Sequence, residues 1–308
     1  MSGRVLVPWK NVSDELGDMS AAGLTVEVFS GDAPAPDDLG DVVFYTVPYD
    51  RPYGLDAFPR LSGVRVVQAL TAGYEHLTPL LSGDVTLCTV RGLHDSSTAE
   101  LALALILAAQ RELPRWIRAQ DAGFWDHTHT KSLAGSRVLI LGYGSIGAAL
   151  DVRLRACDAE TIRVARSPRP DSGVFGAGAL DELLPQADIV VLVTPLTAET
   201  RGLLDARRLA LLPDGALVVN VGRGPVLDTG AMLAEAASGR LRAALDVTDP
   251  EPLPPDHPLW SCPGVIITPH VAGGAAAFYP MAEDFVVQQV RRFASGEPLR
   301  NVVAGPGL

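Results

Sequence analysis

The chain has few cysteines, no excess of basic charge and no long apolar run, and each shortage removes a class of protein. Its three cysteines, Cys88, Cys157 and Cys262, stand far apart with no paired spacing. That excludes a disulfide-stapled scaffold and a paired-cysteine metal or redox motif, and the three read as buried thiols. Acidic residues outnumber basic ones by 36 to 25, for a formal net charge of -11. No basic face is therefore assembled for a nucleic-acid backbone or an anionic membrane, and any anionic ligand must be held locally. The longest apolar run, "LALALILAA" at 101–109, falls far short of the roughly 20 residues that cross a bilayer. The opening "MSGRVLVPWK" lacks the apolar segment of a signal peptide. These shortages lead us to expect a soluble cytoplasmic protein with neither a nucleic-acid nor a membrane partner.

What is present is globular. Apolar residues make up 47% and charged residues 20% of 308 positions, a composition that buries a core over about twice the usual domain length. In the first third, "RVLV", "VEVF", "VVFYTV", "VRVVQAL" and "VTLCTV" alternate with Gly/Pro/Asp-rich breaks, the pattern of a small parallel α/β sheet. "STAELALALILAAQRELPRWIRA" at 97–119 reads as one long helix, with Ser97 as cap and Glu100 completing a capping box. A second series then runs through "SRVLILGYGSIG", "TIRVAR", "DIVVLVT", "ALVVNVG", "AALDV" and "VIITPH". These six runs are continuously apolar, as strands covered by helices on both faces must be. Past "AGG" at 272–274, residues 275–295 read as helix and "EPLRNVV" as loop or edge. "HTHT" at 127–130 lies in a loop flanked by Gly and Asp; it reads as surface, and no metal site is expected.

"VLILGYGSIG" places Gly142, Gly144 and Gly147 in the spacing G-x-G-x-x-G after an apolar strand and at the start of a helical stretch. The first glycine permits the tight turn, the second a close approach of backbone to a pyrophosphate, and the third close helix–strand packing. Ser145 and Ile146 then open a helix whose free N–H groups and dipole favour an anion. Eighteen residues past Gly147 stands Ala165, near where an acid would bind the adenine ribose of NAD. Arg166, Ser167 and Arg169 follow instead, two guanidinium groups and a hydroxyl suited to a 2′-phosphate. The competing reading makes them solvated loop residues.

Three further segments end strands on the face where ligands gather in an open parallel sheet. "VVNVGRGPVLD" carries Arg223, "AALDVTDPEPLP" carries Asp246 and Glu251, and "VIITPHVAGG" carries His270. Taken singly, Arg223 can cap a strand end, Glu251 can be solvated and His270 can be structural; their joint placement is the signal. With "TAGYEHL", "GYGSIG" and "TPLTAETRGLL" in the same order, the chain resembles the D-isomer-specific 2-hydroxyacid dehydrogenases over nearly its whole length, and "ARSPRP" and "LDVTDPEPLPPDHPL" resemble their glyoxylate/hydroxypyruvate reductases in particular.

That resemblance implies an α/β fold of two Rossmann-like domains, doubly wound parallel sheets with a cleft between them. A dinucleotide-binding domain at 98–276 would be inserted into a substrate domain made of 1–97 plus 277–308. It also implies roles. Arg223 would hold the substrate carboxylate and polarise its oxo group, and His270 would protonate the carbonyl oxygen. Glu251 would orient His270 and favour its protonated form. Asp246 would accept a bond from the nicotinamide carboxamide, while Thr194, Pro195, Val221 and Gly273 would line the cofactor. Backbone N–H groups at Ala72 and Gly73 would help bind the substrate. Glu75 stands where the family often has Asp, and Leu93, His94 and Asp95 depart from its Asn/Gly-rich approach to the helix; they can tune specificity or cap the helix. His76 and His257 fall on no matched catalytic position and read as structural.

The expected function is reduction of a small 2-oxoacid, glyoxylate or hydroxypyruvate foremost, to the D-2-hydroxy acid. NADP(H) is the preferred cofactor with NAD(H) possible, and the expected assembly is a homodimer. Alternatives are a reductase of a specialised biosynthetic pathway, a phosphite- or formate-oxidising relative, and a dinucleotide-sensing corepressor-like binding protein. The arginines yield a direct test: Arg166→Asp should shift preference toward NADH by about one to two orders of magnitude, read as the ratio of kcat/KM with the two cofactors. A wild-type enzyme that already prefers NADH refutes the phosphate reading.

Overall fold

The protein, as a computed structural model, is described over residues 2–306, which divide into two compact units. The first comprises Met1–His94 and Ala276–Leu308, the second Asp95–Ala275. The chain begins with β1 (Gly3–Val7), α1 (Lys10–Leu16), β2 (Leu24–Val28), β3 (Val42–Thr46), β4 (Val66–Gln68) and β5 (Thr86–Cys88). The second unit follows with α2 (Asp95–Gln110), α3 (Leu113–Asp121), β6 (Arg137–Leu141), α4 (Ser145–Ala156), β7 (Glu160–Ala165) and β8 (Val174–Gly176). It continues through α5 (Leu180–Leu183), β9 (Ile189–Leu192), α6 (Ala206–Leu209), β10 (Leu217–Asn220), α7 (Thr229–Ala237), β11 (Arg242–Leu245) and β12 (Val265–Ile267). The chain then returns to the first unit as α8 (Phe278–Ser295) and β13 (Val302–Ala304).

The second unit is built on a parallel seven-stranded sheet ordered β12-β11-β10-β9-β6-β7-β8. Its order reverses between β6 and β9, the switch point at which open α/β sheets bind ligands. Side chains alternate along each strand, so the apolar runs feed two cores. Val138, Ile140, Ile189, Val191, Leu217 and Val219 face one cluster, whereas Leu139, Leu141, Val190, Leu192 and Val218 face the other. The first cluster is closed by Ala99, Ala102, Leu105, Ile106 and Ala109 of α2, which recur at the helical period. One strand more than the six runs is present, because β8 is a three-residue edge too short to register as an apolar run.

The long helix read at 97–119 is two helices. α2 starts at Asp95, which places Ser97 inside its first turn and not at its cap. The chain then breaks at Glu112, whose φ of 51° is left-handed. Pro114, which has no N–H to donate, occupies the first turn of α3. The end of α2 finds a cation: Arg242 donates from Nη1 to the Ala109 carbonyl at 3.0 Å and from Nη2 to the Gln110 side-chain Oε1 at 2.6 Å.

The first unit carries a sheet ordered β13-β5-β4-β3-β1-β2. Its parallel part is the 2-1-3-4-5 arrangement of flavodoxin-like sheets, and β13 adds an antiparallel edge. Phe278, Ala282, Phe285, Val286, Val290 and Phe293 of α8 pack with Val12 and Leu16 of α1 on one face. Buried Gln289 donates to Gln68 Oε1 at 2.9 Å and to the Arg300 carbonyl at 3.0 Å, and accepts from the Arg300 amide at 2.9 Å. The returning C-terminal segment is thereby tied to β4 through groups that burial would otherwise leave unpaired.

Candidate active site

The glycine turn joins β6 to α4 at the switch point. Gly142 has φ of 114°, and a Cβ there would lie 2.6 Å from the Val193 carbonyl oxygen. A Cβ on Gly147 would meet the Gly142 carbonyl at 2.3 Å, so the first turn of α4 is pressed against the loop. Gly144 differs: a Cβ there would meet nothing within 4 Å. It is the N-cap of a 12-residue helix with no side-chain cap, and the first amides of a helix have no intrahelical partner. Nearby, Thr194 Oγ1 is buried without a hydrogen-bond partner among the described residues, while Pro195 lends its carbonyl to Thr200 Oγ1 at 2.7 Å. Open space at Gly144, uncapped amides and an orphaned hydroxyl beside the loop fit a bound dinucleotide. Val221 continues the β10 end, its amide donating to the Leu192 carbonyl at 3.2 Å.

Beyond β7, Arg166, Ser167 and Arg169 are all exposed. Arg169 nonetheless donates to the Tyr143 carbonyl inside the glycine turn and lies over the Tyr143 ring, 5.5 Å from its centroid.

The strand ends of β10, β11 and β12 assemble the second cluster. At the end of β10, buried Asn220 donates from Nδ2 to the Arg223 carbonyl at 3.0 Å and accepts from the Gly222 amide at 3.1 Å, shaping the turn that presents Arg223. Gly224 is required next: a Cβ there would fall 1.8 Å from the Thr248 carbonyl oxygen. The Arg223 turn and the segment leading to Glu251 are thus in backbone contact. Sequence reading did not single out Asn220 or Gly224. A buried amide at a strand end followed by two glycines was the available signal.

Asp246 is 1% exposed. Its Oδ1 accepts from Thr268 Oγ1 at 2.6 Å and the Val271 amide at 3.0 Å, and its Oδ2 accepts from the Ala272 amide at 3.0 Å. The carboxylate expected at the nicotinamide therefore also organises the loop around His270. His270 itself has left-handed φ of 53°, and its amide donates to the Asp246 carbonyl at 2.8 Å. Its Nδ1 lies 2.5 Å from Glu251 Oε1. The Glu251 carboxylate raises the His270 pKa against the opposing effect of burial, with Arg223 also opposing and Asp246 assisting. In return the bond to His270 lowers the Glu251 pKa. Arg223 is thus close enough to both groups to be felt electrostatically. Gly273 follows in the same loop, next to Ala272.

In the first unit, Thr71 Oγ1 donates to the Gly73 carbonyl at 2.6 Å. The amides of Ala72 and Gly73 donate to no acceptor among the described residues. Alongside, a cavity of about 460 Å³ opens at the ends of β3 and β4, lined by apolar Val47, Leu55, Leu70 and Leu77 with Arg51 and His76. His94, directly before α2, does not line this cavity: it is buried, 3.0 Å from the Leu70 carbonyl through Nε2 and stacked 4.4 Å from Phe278. Asp95 Oδ1 accepts from Ser145 Oγ at 3.0 Å, bracing the start of α4. His257 caps a short 3₁₀ turn, its Nδ1 accepting from the Leu259 amide at 3.3 Å.

Comparison with known proteins places this geometry. The family described as "D-isomer specific 2-hydroxyacid dehydrogenase, NAD binding domain" matches residues 103–272. Hydroxyphenylpyruvate reductase of Plectranthus scutellarioides is 31% identical over 80% of this chain and 79% of that one. A D-isomer specific 2-hydroxyacid dehydrogenase from Xanthobacter autotrophicus Py2, solved with NADPH and MES, superposes with a TM-score of 0.78 at 34% identity, covering 98% of each chain. An NADPH-dependent glyoxylate/hydroxypyruvate reductase from Sinorhizobium meliloti, solved with NADP and sulfate, superposes with a TM-score of 0.80 at 29% identity over 98% of each chain.

The histidine–carboxylate pair carries a measurable sign. A histidine whose folded pKa is raised contributes stability that is lost as pH rises through that pKa, and a carboxylate whose pKa is lowered contributes stability lost as pH falls through its own. The pair is therefore strongest between the lowered Glu251 and raised His270 values. Glu251→Gln removes the charge but keeps a hydrogen-bonding group, and should move the His270 titration, followed by NMR of the ring protons, to lower pH. An unchanged midpoint would show that Glu251 does not set it.

Proposed function

Because the chain belongs to the D-isomer-specific 2-hydroxyacid dehydrogenases, an NAD(P)-dependent oxidoreductase family, we propose that it reduces a small 2-oxoacid to the D-2-hydroxy acid with NADPH. The observation that carries this reading is the 2.5 Å His270–Glu251 pair, built on strand ends beside Arg223. Gly142, Gly144, Gly147 and the amides opening α4 would hold the dinucleotide, which would supply the hydride. Arg223, permanently charged and planar, binds the substrate carboxylate and stabilises charge developing on the carbonyl oxygen. His270, its pKa raised by Glu251, donates a proton from Nε2 to that oxygen and recovers it in the reverse direction. Ala72 and Gly73, whose amides have no acceptor among the described residues, are assigned to the substrate. Arg166, Ser167 and Arg169 support NADPH over NADH, as do the nucleotides bound in the Xanthobacter and Sinorhizobium structures.

Glyoxylate and hydroxypyruvate are the first substrates to test, on the strength of the relatives with those activities. The cavity beside Ala72 favours a second reading. About 460 Å³ lies within the roughly 300–1,000 Å³ range of pockets that hold whole drug-sized ligands, ample for a bulky apolar side chain of a larger 2-oxoacid. Rates across a series from glyoxylate to 4-hydroxyphenylpyruvate separate the two. His270→Ala should lower kcat with the best substrate by about a hundredfold or more, with the fold intact by circular dichroism and dinucleotide binding retained. Turnover near the wild-type rate in that variant defeats the mechanism.

The homodimer also belongs to this proposal. α3 buries none of its residues, and Leu113, Ile117, Phe124 and Trp125 expose 41%, 59%, 66% and 91% of their surface. Arg115 grips Asp126 with bonds of 2.6 and 3.0 Å, holding the neighbouring indole outward in place. Exposed apolar groups gathered on α3 and the segment after it mark an interaction face, and we assign it to a second copy of the chain. Sedimentation equilibrium should give a dimer mass for wild type and a monomer mass for Ile117→Glu/Trp125→Glu. A wild-type monomer, or a dimer indifferent to both charges, overturns the assignment.

A further inference from the structure

The two arginines proposed to select the 2′-phosphate stand in different environments. Arg166 makes no hydrogen bond or ion pair among the described residues. Arg169 is held at both ends. Its backbone bridges to Val174, with the Arg169 amide donating to the Val174 carbonyl at 2.8 Å and the Val174 amide returning a bond at 3.1 Å. Its guanidinium donates to the Tyr143 carbonyl and rests over the Tyr143 ring.

Tyr143 is the variable residue between the first two glycines, and it is anchored in turn. Its amide donates to the Val164 carbonyl at 3.0 Å. Its hydroxyl donates to Asp151 Oδ2 at 2.7 Å. Asp151 is fully buried, and also accepts from Thr161 Oγ1 at 2.6 Å and pairs with Arg155 at 3.1 Å. The guanidinium of Arg163 approaches the same ring at 5.7 Å from its centroid. Asp151 therefore fixes the ring, and the ring and carbonyl fix Arg169. A guanidinium carries five N–H donors in a rigid fork. Spending one on the Tyr143 carbonyl orients the plane and leaves the others for an anion, with less side-chain freedom to lose on binding.

We propose that Tyr143 is a positioning residue for nucleotide selection, holding the Arg169 guanidinium against the glycine turn so that it meets the 2′-phosphate of NADP(H) already oriented. The inference rests on the reading that the arginines after β7 recognise that phosphate. It makes the identity of the residue between Gly142 and Gly144 part of cofactor specificity, a role that the glycines themselves do not have.

Binding of 2′,5′-ADP and 5′-AMP to the intact chain, measured by titration calorimetry, isolates the phosphate without turnover. Wild type should hold 2′,5′-ADP at least about tenfold more tightly than 5′-AMP, and Arg169→Gln should lose most of that ratio. Tyr143→Leu should reduce the ratio by about three- to tenfold while changing 5′-AMP affinity by less than about twofold. Tyr143→Phe, which keeps the ring but gives up its bond to Asp151, should reduce the ratio by less than Tyr143→Leu does. A Tyr143→Leu protein that keeps the full ratio while Arg169→Gln loses it overturns the positioning role and leaves the arginine reading intact. Equal weakening of both ligands by Tyr143→Leu also overturns it, since that is the mark of a merely structural residue. A wild type indifferent to the 2′-phosphate, or an Arg169→Gln protein that keeps the ratio, removes the reading and the inference together.

Discussion

The buried carboxylate of Asp246 is the interaction on which the candidate active site depends. An ionised group at 1% exposure is costly unless its lone pairs are met. Here a hydroxyl and two amides from the segment after β12 supply three bonds. Those same bonds hold His270 in left-handed backbone, a conformation that costs a residue with a Cβ about 1–2 kcal/mol. Charge-assisted bonds of this kind are worth about 1.5–3 kcal/mol each, so the carboxylate readily offsets that strain. The ring is then delivered to Glu251, 19 positions earlier in the chain. Loss of Asp246 would release the loop as well as the charge, so its contribution to the histidine cannot be separated from its contribution to the backbone.

Sheet register explains why three residues from distant segments converge. Asn220 pairs with Leu245, and Leu245 with Ile267, so β10, β11 and β12 end at one level on adjacent strands. Parallel neighbours lie about 4.8 Å apart. Arg223 comes three residues after Asn220, Asp246 immediately after Leu245, and His270 three after Ile267. Short overhangs of one to three residues from a common edge bring the charged groups together without any long-range adjustment of the strands. Gly224 completes the arrangement, because only a residue without Cβ lets the Arg223 turn lie against the Thr248 carbonyl.

Much of this was legible before any coordinates. Unbroken apolar strands announced a sheet covered on both faces, and residues following those strands announced the ligand edge; both are consequences of local pattern. The break between α2 and α3 was not, because Glu112 carries no local mark of its left-handed backbone and Pro114 suits the first turn of a new helix as well as it would interrupt an old one. Asn220, the second task of Asp246 and the stacking of Arg169 on Tyr143 were also hidden. Each is a contact between a side chain and a partner reached only through the fold, and no spacing rule encodes that. Arg166 and Arg169 looked equivalent as neighbours in one loop; packing leaves the first exposed, with Glu199 within electrostatic reach, and makes the second part of the glycine turn.

That difference matters because of the charge the chain carries. At a net -11, its long-range field repels both a phosphorylated dinucleotide and a 2-oxoacid, so neither can be gathered by a broad basic surface. Screening limits that repulsion to about 8 Å at physiological salt, and recognition is left to groups that touch the ligand. Such groups gain most when they are oriented beforehand, since a short-range bond repays little if a long side chain must first be ordered. The molecule accordingly fixes the groups that meet anions: Arg169 by Tyr143, the Arg223 turn by Asn220, and His270 by Glu251, which also raises its pKa. An acidic protein that binds anions must spend its few contacts on preorganised ones, and the buried acids Asp151 and Asp246 are the means by which this one does so.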